Sequence, residues 1–446
     1  MTNLRRPNLR LRALLSEADW TQEALARAVN CLGAEIGTDL RYDRTAVAHW
    51  LAGTQPRRPV PQLIAEALSR RIGRAVTPQA AGFRAAPVDP PSRDPVTGFT
   101  TLCRSDSDPA RRVPLQQRPY RVADAAVPAL PPALRPSRAH PPPGRTRPQS
   151  RQTLALHDAA RFFAASIDAH GGRNARSALA AYLADDVSPL LHQPRAAPEQ
   201  RELLIAASRL SFLLARMYED GLLHGLAQHY YTYAHRLAHE SGDRAAWAVV
   251  VRAMSAQAQR LGHLTAARNL AEAAAVAVAT APPAPRSYVY AQLAVARART
   301  GDRRGSLEAM TAAERYAGRT ADAAGPFDTY PAAALSYQTS AALEALGDLP
   351  AALAALRRSV IERPAADLRG RALTQARFGH LLLGAGRLDE ACAAWRGFLD
   401  GYGLLRSGDA ERALQEIRRA LRPYRNRQTA AELLHRSLPR TVPSTL

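Results

Sequence analysis

Arg44, Thr45 and His49 fall on the outer face of a short predicted helix, and Gln22 stands in the first turn of the helix before it. These side chains suit recognition of a polyanion. Arginine pairs bidentately with phosphate or with guanine O6 and N7, and threonine can touch a thymine methyl. Histidine can donate to a base or a phosphate. An amide at a helix N-terminus, beside free backbone N–H groups, can meet a phosphate oxygen. Other clusters carry weaker chemistry. His235 and His239 have the i, i+4 spacing of two metal ligands, with His224 and His229 nearby. No cysteine is close, and Arg236 stands where an HExxH motif needs glutamate. These histidines are therefore expected at the surface or in a groove, with no metal and no cofactor. Tyr230, Tyr231 and Tyr233 read as packing residues, or else as the lining of a ligand groove. Asp185 and Asp186 could do acid–base work, but without a partner nucleophile they read as a charge pair ending a helix. The chain contains no GxSxG, no GxxxxGK and no convincing GxGxxG pattern, so an enzyme is not expected.

The elements that position the first cluster can be placed from periodicity and caps. A helix is predicted over Leu9 to Ala18, with Leu11, Leu14 and Leu15 at helical spacing. Thr21 is a good N-cap for a second helix that turns Leu25, Ala28 and Val29 inward. Asp43 caps a third helix. Val47 and Trp50 point back to the core and leave Arg44, Thr45, Ala48 and His49 outside. Gly53 closes it, and Val60 to Leu68 begins a fourth. This is a helix-turn-helix pattern, which can present a surface to a DNA major groove.

From Trp20 to Leu68 the run resembles the Cro/phage-repressor (XRE) type of helix-turn-helix. Aligned on Val47 and Gly53, the resemblance puts base-reading positions on Arg44, Thr45 and His49. It puts phosphate-binding positions on Gln22 and on the basic turn Thr54-Gln-Pro-Arg-Arg58, where Arg57 and Arg58 would hold the backbone and set register. The partner it implies is double-stranded DNA. One departure is the long Asn30 to Tyr42 connection, with glycines at 33 and 37, where the family has a tight turn. Either the second helix runs past Val29 or a loop is inserted.

Charge agrees with such a partner. The formal net charge is +21, carried by 60 arginines without a lysine. A chain this basic is drawn to polyanions. Three regions follow from composition. Residues 1–83 form the helix-turn-helix domain. Residues 84–150 hold 15 prolines and 11 arginines against 5 acids. They read as a disordered linker that lets its neighbours sit at variable distance. Residues 151–446 are helical in pattern. Cys31, Cys103 and Cys392 match neither a disulfide framework nor a zinc site. The first residues lack the apolar core of a signal peptide, and no window reaches the length of a membrane span. A cytoplasmic, nucleoid-associated protein is expected.

The third region repeats. Turn glycines occur at Gly262, Gly301, Gly347, Gly386 and Gly408, each followed five residues later by Ala267, Ser306, Ala352, Ala391 or Ala413. Larger residues come nine on at Met310, Leu356, Trp395 and Ile417, and Gly221 opens a degenerate earlier copy. A glycine can end one helix in a left-handed cap, and a small residue lets the next pack closely. This resembles the tetratricopeptide repeat (TPR), most clearly at Leu346-Gly-Asp-Leu-Pro-Ala-Ala352 and Ala385-Gly-Arg-Leu-Asp-Glu-Ala391. From Gly221 to Gly386 successive glycines lie 41, 39, 46 and 39 residues apart, against about 34 in the family. Ala410 to Leu421 is expected to cap the array. The expected fold is thus all-α: a helix-turn-helix domain, a disordered Pro/Arg-rich linker and a TPR-like α-solenoid. The whole plan is similar to actinobacterial helix-turn-helix/TPR regulators of development and secondary metabolism. That likeness implies a sequence-specific transcriptional regulator, acting as a homodimer, whose repeat groove takes a peptide or protein. The alternative is a repeat scaffold with weak, nonspecific DNA contact.

Overall fold

A computed structural model describes residues 6–84, 92–132, 151–317 and 329–438. All regular structure among them is helical. The N-terminal unit contains α1 (Leu9–Glu17), α2 (Gln22–Glu35), α3 (Arg44–Leu51) and α4 (Val60–Ile72). Next come α5 (Pro95–Ser107), α6 (Pro109–Gln116) and a short 3₁₀ turn over Val122–Ala125. The third region opens with α7 (Arg151–His170) and α8 (Arg176–Tyr182). A π-helical turn (Leu183–Val187), which carries the exposed Asp185 and Asp186, leads into the short α9 (Ser188–Leu191).

The rest is built mainly of antiparallel helix pairs. They are α10 (Ala197–Asp220) with α11 (His224–Ser241), α12 (Arg244–Arg260) with α13 (Leu264–Ala277), and α14 (Pro283–Arg299) with α15 (Arg303–Ala317). Then follow α16 (Ala332–Ala345) with α17 (Leu349–Glu362) and α18 (Leu368–Gly384) with α19 (Leu388–Tyr402). Each pair packs on the next, the arrangement of a TPR-like solenoid. α20 (Gly408–Leu421) and α21 (Gln428–Arg436) end it.

The turn chemistry explains the pairing. Gly262, Gly301, Gly347 and Gly386 have φ between 75° and 90°, the left-handed conformation that glycine adopts at little cost. Ala267, Ser306, Ala352 and Ala391 are buried between the helices of their pairs. A second device recurs. Buried serine hydroxyls donate across each of four pairs: Ser208 to the Ala234 carbonyl (2.7 Å), Ser255 to Ala267 (2.7 Å), Ser306 to Ala294 (2.9 Å) and Ser359 to Ala333 (2.7 Å), with Ser211 and Ser287 adding a second bond in the first and third of these pairs. In the α18–α19 pair the Trp395 indole takes this place, donating to the Ala376 carbonyl at 3.0 Å. Serine is small enough for close approach, and its polar atom stays satisfied.

Two turn assignments change. Gly408 does not end a helix. It is the first residue of α20, capped by Ser407, and a Cβ there would lie 2.8 Å from the Asp220 carbonyl oxygen. At Gly221 the left-handed conformation falls on Leu222 instead.

The array also closes on itself. Arg173 N–H donates to the Arg406 carbonyl (2.9 Å), and Arg406 N–H donates to the His170 carbonyl (2.7 Å). Arg369 joins Asp220 on α10 to Asp409 on α20, at 2.5 and 3.1 Å. Arg260 on α12 binds Asp409 through both carboxylate oxygens. Burial alone would raise the Asp409 carboxyl, but Arg260, Arg369 and Arg412 hold it down to about 2.

The expected disordered linker is corrected over 92–132. Asp94 and Asp108 cap α5 and α6, and Pro95 and Pro109 occupy first-turn positions where a missing N–H costs nothing. Phe99, Leu102, Cys103, Leu115 and Tyr120 enter the main core. Asp106, wholly buried, accepts from Tyr218 Oη (2.5 Å) and Tyr230 Oη (2.7 Å). The remainder of that expectation, 85–91 and 133–150, lies outside the described residues. One of the four histidines is corrected too, while His229, His235 and His239 stay partly exposed. His224 is buried, because α11 is covered on several sides by α10, α12 and α5. Among the described residues no group of three or more His, Cys, Asp or Glu could hold a metal. Tyr230 and Tyr231 are buried, and Tyr231 also lines a cavity between the helices.

Two outcomes are expected. Asp106→Ala leaves two buried phenols without an acceptor and should cost about 3 kcal/mol, read by chemical denaturation. Burial depresses His224 to about 3. Its contribution to stability is therefore full above pH 6.5 and lost as pH falls from there toward 3. His224→Gln should flatten the pH slope of stability between 6.5 and 4 by up to about 1.4 kcal/mol per pH unit. An unchanged slope would place the titrating group elsewhere.

Candidate nucleic-acid interface

Both alternatives for the Asn30 to Tyr42 connection hold in part. α2 runs six residues past Val29 to Glu35, and Ile36 to Asp43 then crosses to α3. Asn30 ties this crossing down. Its Nδ2 donates to the Tyr42 carbonyl and its Oδ1 accepts the Tyr42 N–H, both at 2.9 Å. The Tyr42 ring meets Trp50 edge-on, with centroids 5.1 Å apart. The connection is thus a fixed strap. Thr21 caps α2 through Ala24 N–H and Asp43 caps α3 through Ala46 N–H, as predicted.

Val47 and Trp50 are buried among Leu11, Leu25, Val29, Leu63 and Leu68. Arg44, Thr45, Ala48 and His49 are thereby left exposed on one face of α3. Arg57 and Arg58 are exposed in the loop that follows. Gln55 anchors that loop: its Oε1 accepts Arg84 N–H (3.0 Å) and its Nε2 donates to the Gly82 carbonyl (3.3 Å). Gln22 is half-buried at the start of α2. Glu23 follows it and pairs with Arg27 at 2.8 Å.

In the N-terminal unit Arg27 binds Glu23, Arg41 binds Asp39, Arg70 binds Glu35 and Glu66, and Arg74 binds Glu17. Among the described residues Arg44, His49, Arg57 and Arg58 form no ion pair, so the cations of the α3 face are free of counter-charge, as are others such as Arg12. Sequence reading missed a further basic group. Arg6, Arg10 and Arg84 line a hollow of about 530 Å³ beside Gly53 and Gln55, with no acidic residue in its wall. Arg6 and Arg10 are neighbours at i, i+4, but Arg84 is remote from them along the chain.

The unit is docked on the solenoid, which corrects the expectation of variable distance. α4 is buried on nearly every side, from Val60 to Ser69 apart from Gln62. Glu66, 3% exposed, accepts from Arg70 Nε (2.9 Å) and lies 2.8 Å from His263 Nε2. His263 follows the turn glycine Gly262 and stacks on Tyr120, with centroids 5.5 Å apart. Three parts of the chain therefore meet at this turn. A helix apolar all round is the signal that could have revealed the docking.

Residues 11–84 match the family model described as the SP15 N-terminal domain, which covers α1 to α4 and the segment behind them. Among solved structures, a chain in the crystal structure of the APC/C hetero-tetramer Cut9-Hcn1 is similar. The identity is 16% over 64% of this chain, with a TM-score of 0.33. The chain spans about half of that relative's length, 48%. No curated protein matches. Among the described residues, no helix is long and apolar enough to cross a membrane.

Two variants test the geometry. Glu66→Ala strips a buried histidine and Arg70 of their shared acceptor and should cost about 3 kcal/mol. It should also release residues 6–84, seen as a larger radius of gyration by X-ray scattering. An unchanged radius would show that docking does not depend on Glu66. Asn30→Ala removes both ties to Tyr42 and should cost about 1–2 kcal/mol, with a change in tryptophan fluorescence from Trp50.

Proposed function

We propose that the chain is a DNA-binding transcriptional regulator. In this reading residues 6–84 read DNA, and the solenoid binds a protein or peptide partner or a second copy of the chain. The observation that carries it is the α3 face: Arg44, Thr45 and His49 stand together, exposed, with neither cation in an ion pair among the described residues. Exposed arginines without partners are what a phosphate backbone and guanine edges select for. Arg44 and His49 reach base edges and Thr45 a thymine methyl. Arg57 and Arg58 hold phosphates, supplemented by the basic hollow of Arg6, Arg10 and Arg84. Gln22 serves as a further phosphate contact. The reading gives the chain no catalytic role.

A second reading is a repeat scaffold whose DNA contact is weak and nonspecific. Glu23 and Asp43 favour it, since they put carboxylates at the starts of α2 and α3, where phosphates would approach.

Selection from a random duplex pool at physiological salt separates the two. The first reading expects one enriched motif. The double variant Arg44→Ala, His49→Ala should lose it, by about 1–3 kcal/mol per base contact, with the melting temperature unchanged because both side chains are exposed. Arg57→Ala and Arg58→Ala should each lower the salt slope of binding by about 1 without changing the motif. Selection that returned no motif would leave the scaffold reading.

A further inference from the structure

Where the array closes on itself, a partly open cavity lies between its helices. Its volume is about 380 Å³, within the lower range of small-molecule sites. Most charges in its wall are already satisfied. Asp220 and Asp409 hold Arg369 and Arg260, Glu219 accepts from Tyr231 Oη (2.7 Å), and Asp367 holds one nitrogen of Arg363.

One end differs. Arg252 is 8% exposed and, among the described residues, has no carboxylate within ion-pair distance. It lies over the Tyr288 ring, 3.9 Å from the centroid, and its bonds go to the Tyr288 carbonyl (3.3 Å) and hydroxyl (3.2 Å). Beside it the Tyr330 hydroxyl, on a side chain 7% exposed, has no hydrogen-bond partner. The Tyr330 and Tyr288 rings meet edge-on at 5.4 Å. Burial keeps the Tyr330 phenol protonated against the nearby charges of Arg252 and Arg363, so it is a donor. Arg363 Nε is also buried without an acceptor. The remaining charges in the wall, Arg216 and Asp168, are not ion-paired, and burial raises the Asp168 carboxyl. Buried donors are normally satisfied. Here Tyr330 Oη and Arg363 Nε lack an acceptor and Arg252 lacks a counter-charge, and all three residues line one space. Next to them the wall is aromatic and apolar: Tyr288, Pro285, Ala284 and Ala334.

We propose that this cavity binds a small organic carboxylate, its oxygens held by Arg252, Arg363 Nε and Tyr330 Oη and its apolar body lying against Tyr288 and Pro285. The carboxylate belongs either to a free small molecule or to the C-terminal end of a peptide, of which a cavity of about 380 Å³ holds only the last residues.

The test uses the full chain in thermal-shift and calorimetric titrations. The probes are phenylacetate, indole-3-acetate and octanoate, with phenylacetamide as the neutral counterpart. The dipeptide Ala-Phe, with free or amidated C-terminus, distinguishes the two sources. At least one carboxylate should raise the melting temperature, and its amide should not. Tyr330→Phe removes only an unpartnered hydroxyl. Without ligand it should melt no lower than the parent, while binding the carboxylate about tenfold more weakly. Arg252→Gln should abolish binding. The proposal is overturned if none of these carboxylates binds, if the amide binds equally well, or if Tyr330→Phe keeps full affinity. Because no readout involves DNA, failure here leaves the DNA-reading proposal untouched.

Discussion

A carboxylate taken out of water must find positive charge or donors where it is buried, and Glu66 finds them on two sides. Arg70 belongs to its own helix, while His263 belongs to a solenoid turn 197 residues further on. That requirement ties the N-terminal unit to the array. With α4 held between them, the strap over Ile36 to Asp43 and the exposed face of α3 have a set position relative to the solenoid. Tyr120 joins the same point, so the α5–α6 segment is part of the joint as well. Release of either partner would strand a charge, which is why such contacts act as alignment devices more than as sources of stability.

Local chemistry was legible in the sequence. Thr21 and Asp43 cap the helices they were assigned, Val47 and Trp50 face inward, and the left-handed glycines at 262, 301, 347 and 386 punctuate the pairs. Each depends on neighbours within a turn or two. What escaped depends on distance along the chain or on context. The proline count of 84–150 hid two Asp-Pro helix starts, because proline breaks a helix in its middle but begins one well. Gly408 has the same dipeptide as the turn glycines, yet it is glycine for a different reason, the approach of the Asp220 carbonyl. His224 looked polar and is buried, since α11 is enclosed by helices that no local pattern announces. The α3 face was legible as residue types. The basic hollow was not, because Arg84 joins Arg6 and Arg10 only after folding.

The interior of the array shows the same division. Its arginines and acids are unremarkable as composition. Only their pairing in space shows which are spoken for and which, like Arg252, are left without a counter-charge. A donor lacking an acceptor is a statement about three dimensions, and no spacing rule contains it.

The joined ends of the array have one more consequence. In an open solenoid each unit touches only its neighbours, so one more or one fewer changes the length and little else. Here the backbone bonds between Arg173 and Arg406, and the bridge from Arg369 to Asp220 and Asp409, act as a clasp. A unit inserted or lost anywhere would carry the two halves of the clasp out of register. The number of helix pairs is therefore a closed quantity, set by the circumference of a hoop, and evolution can vary what lines it more readily than how many units compose it.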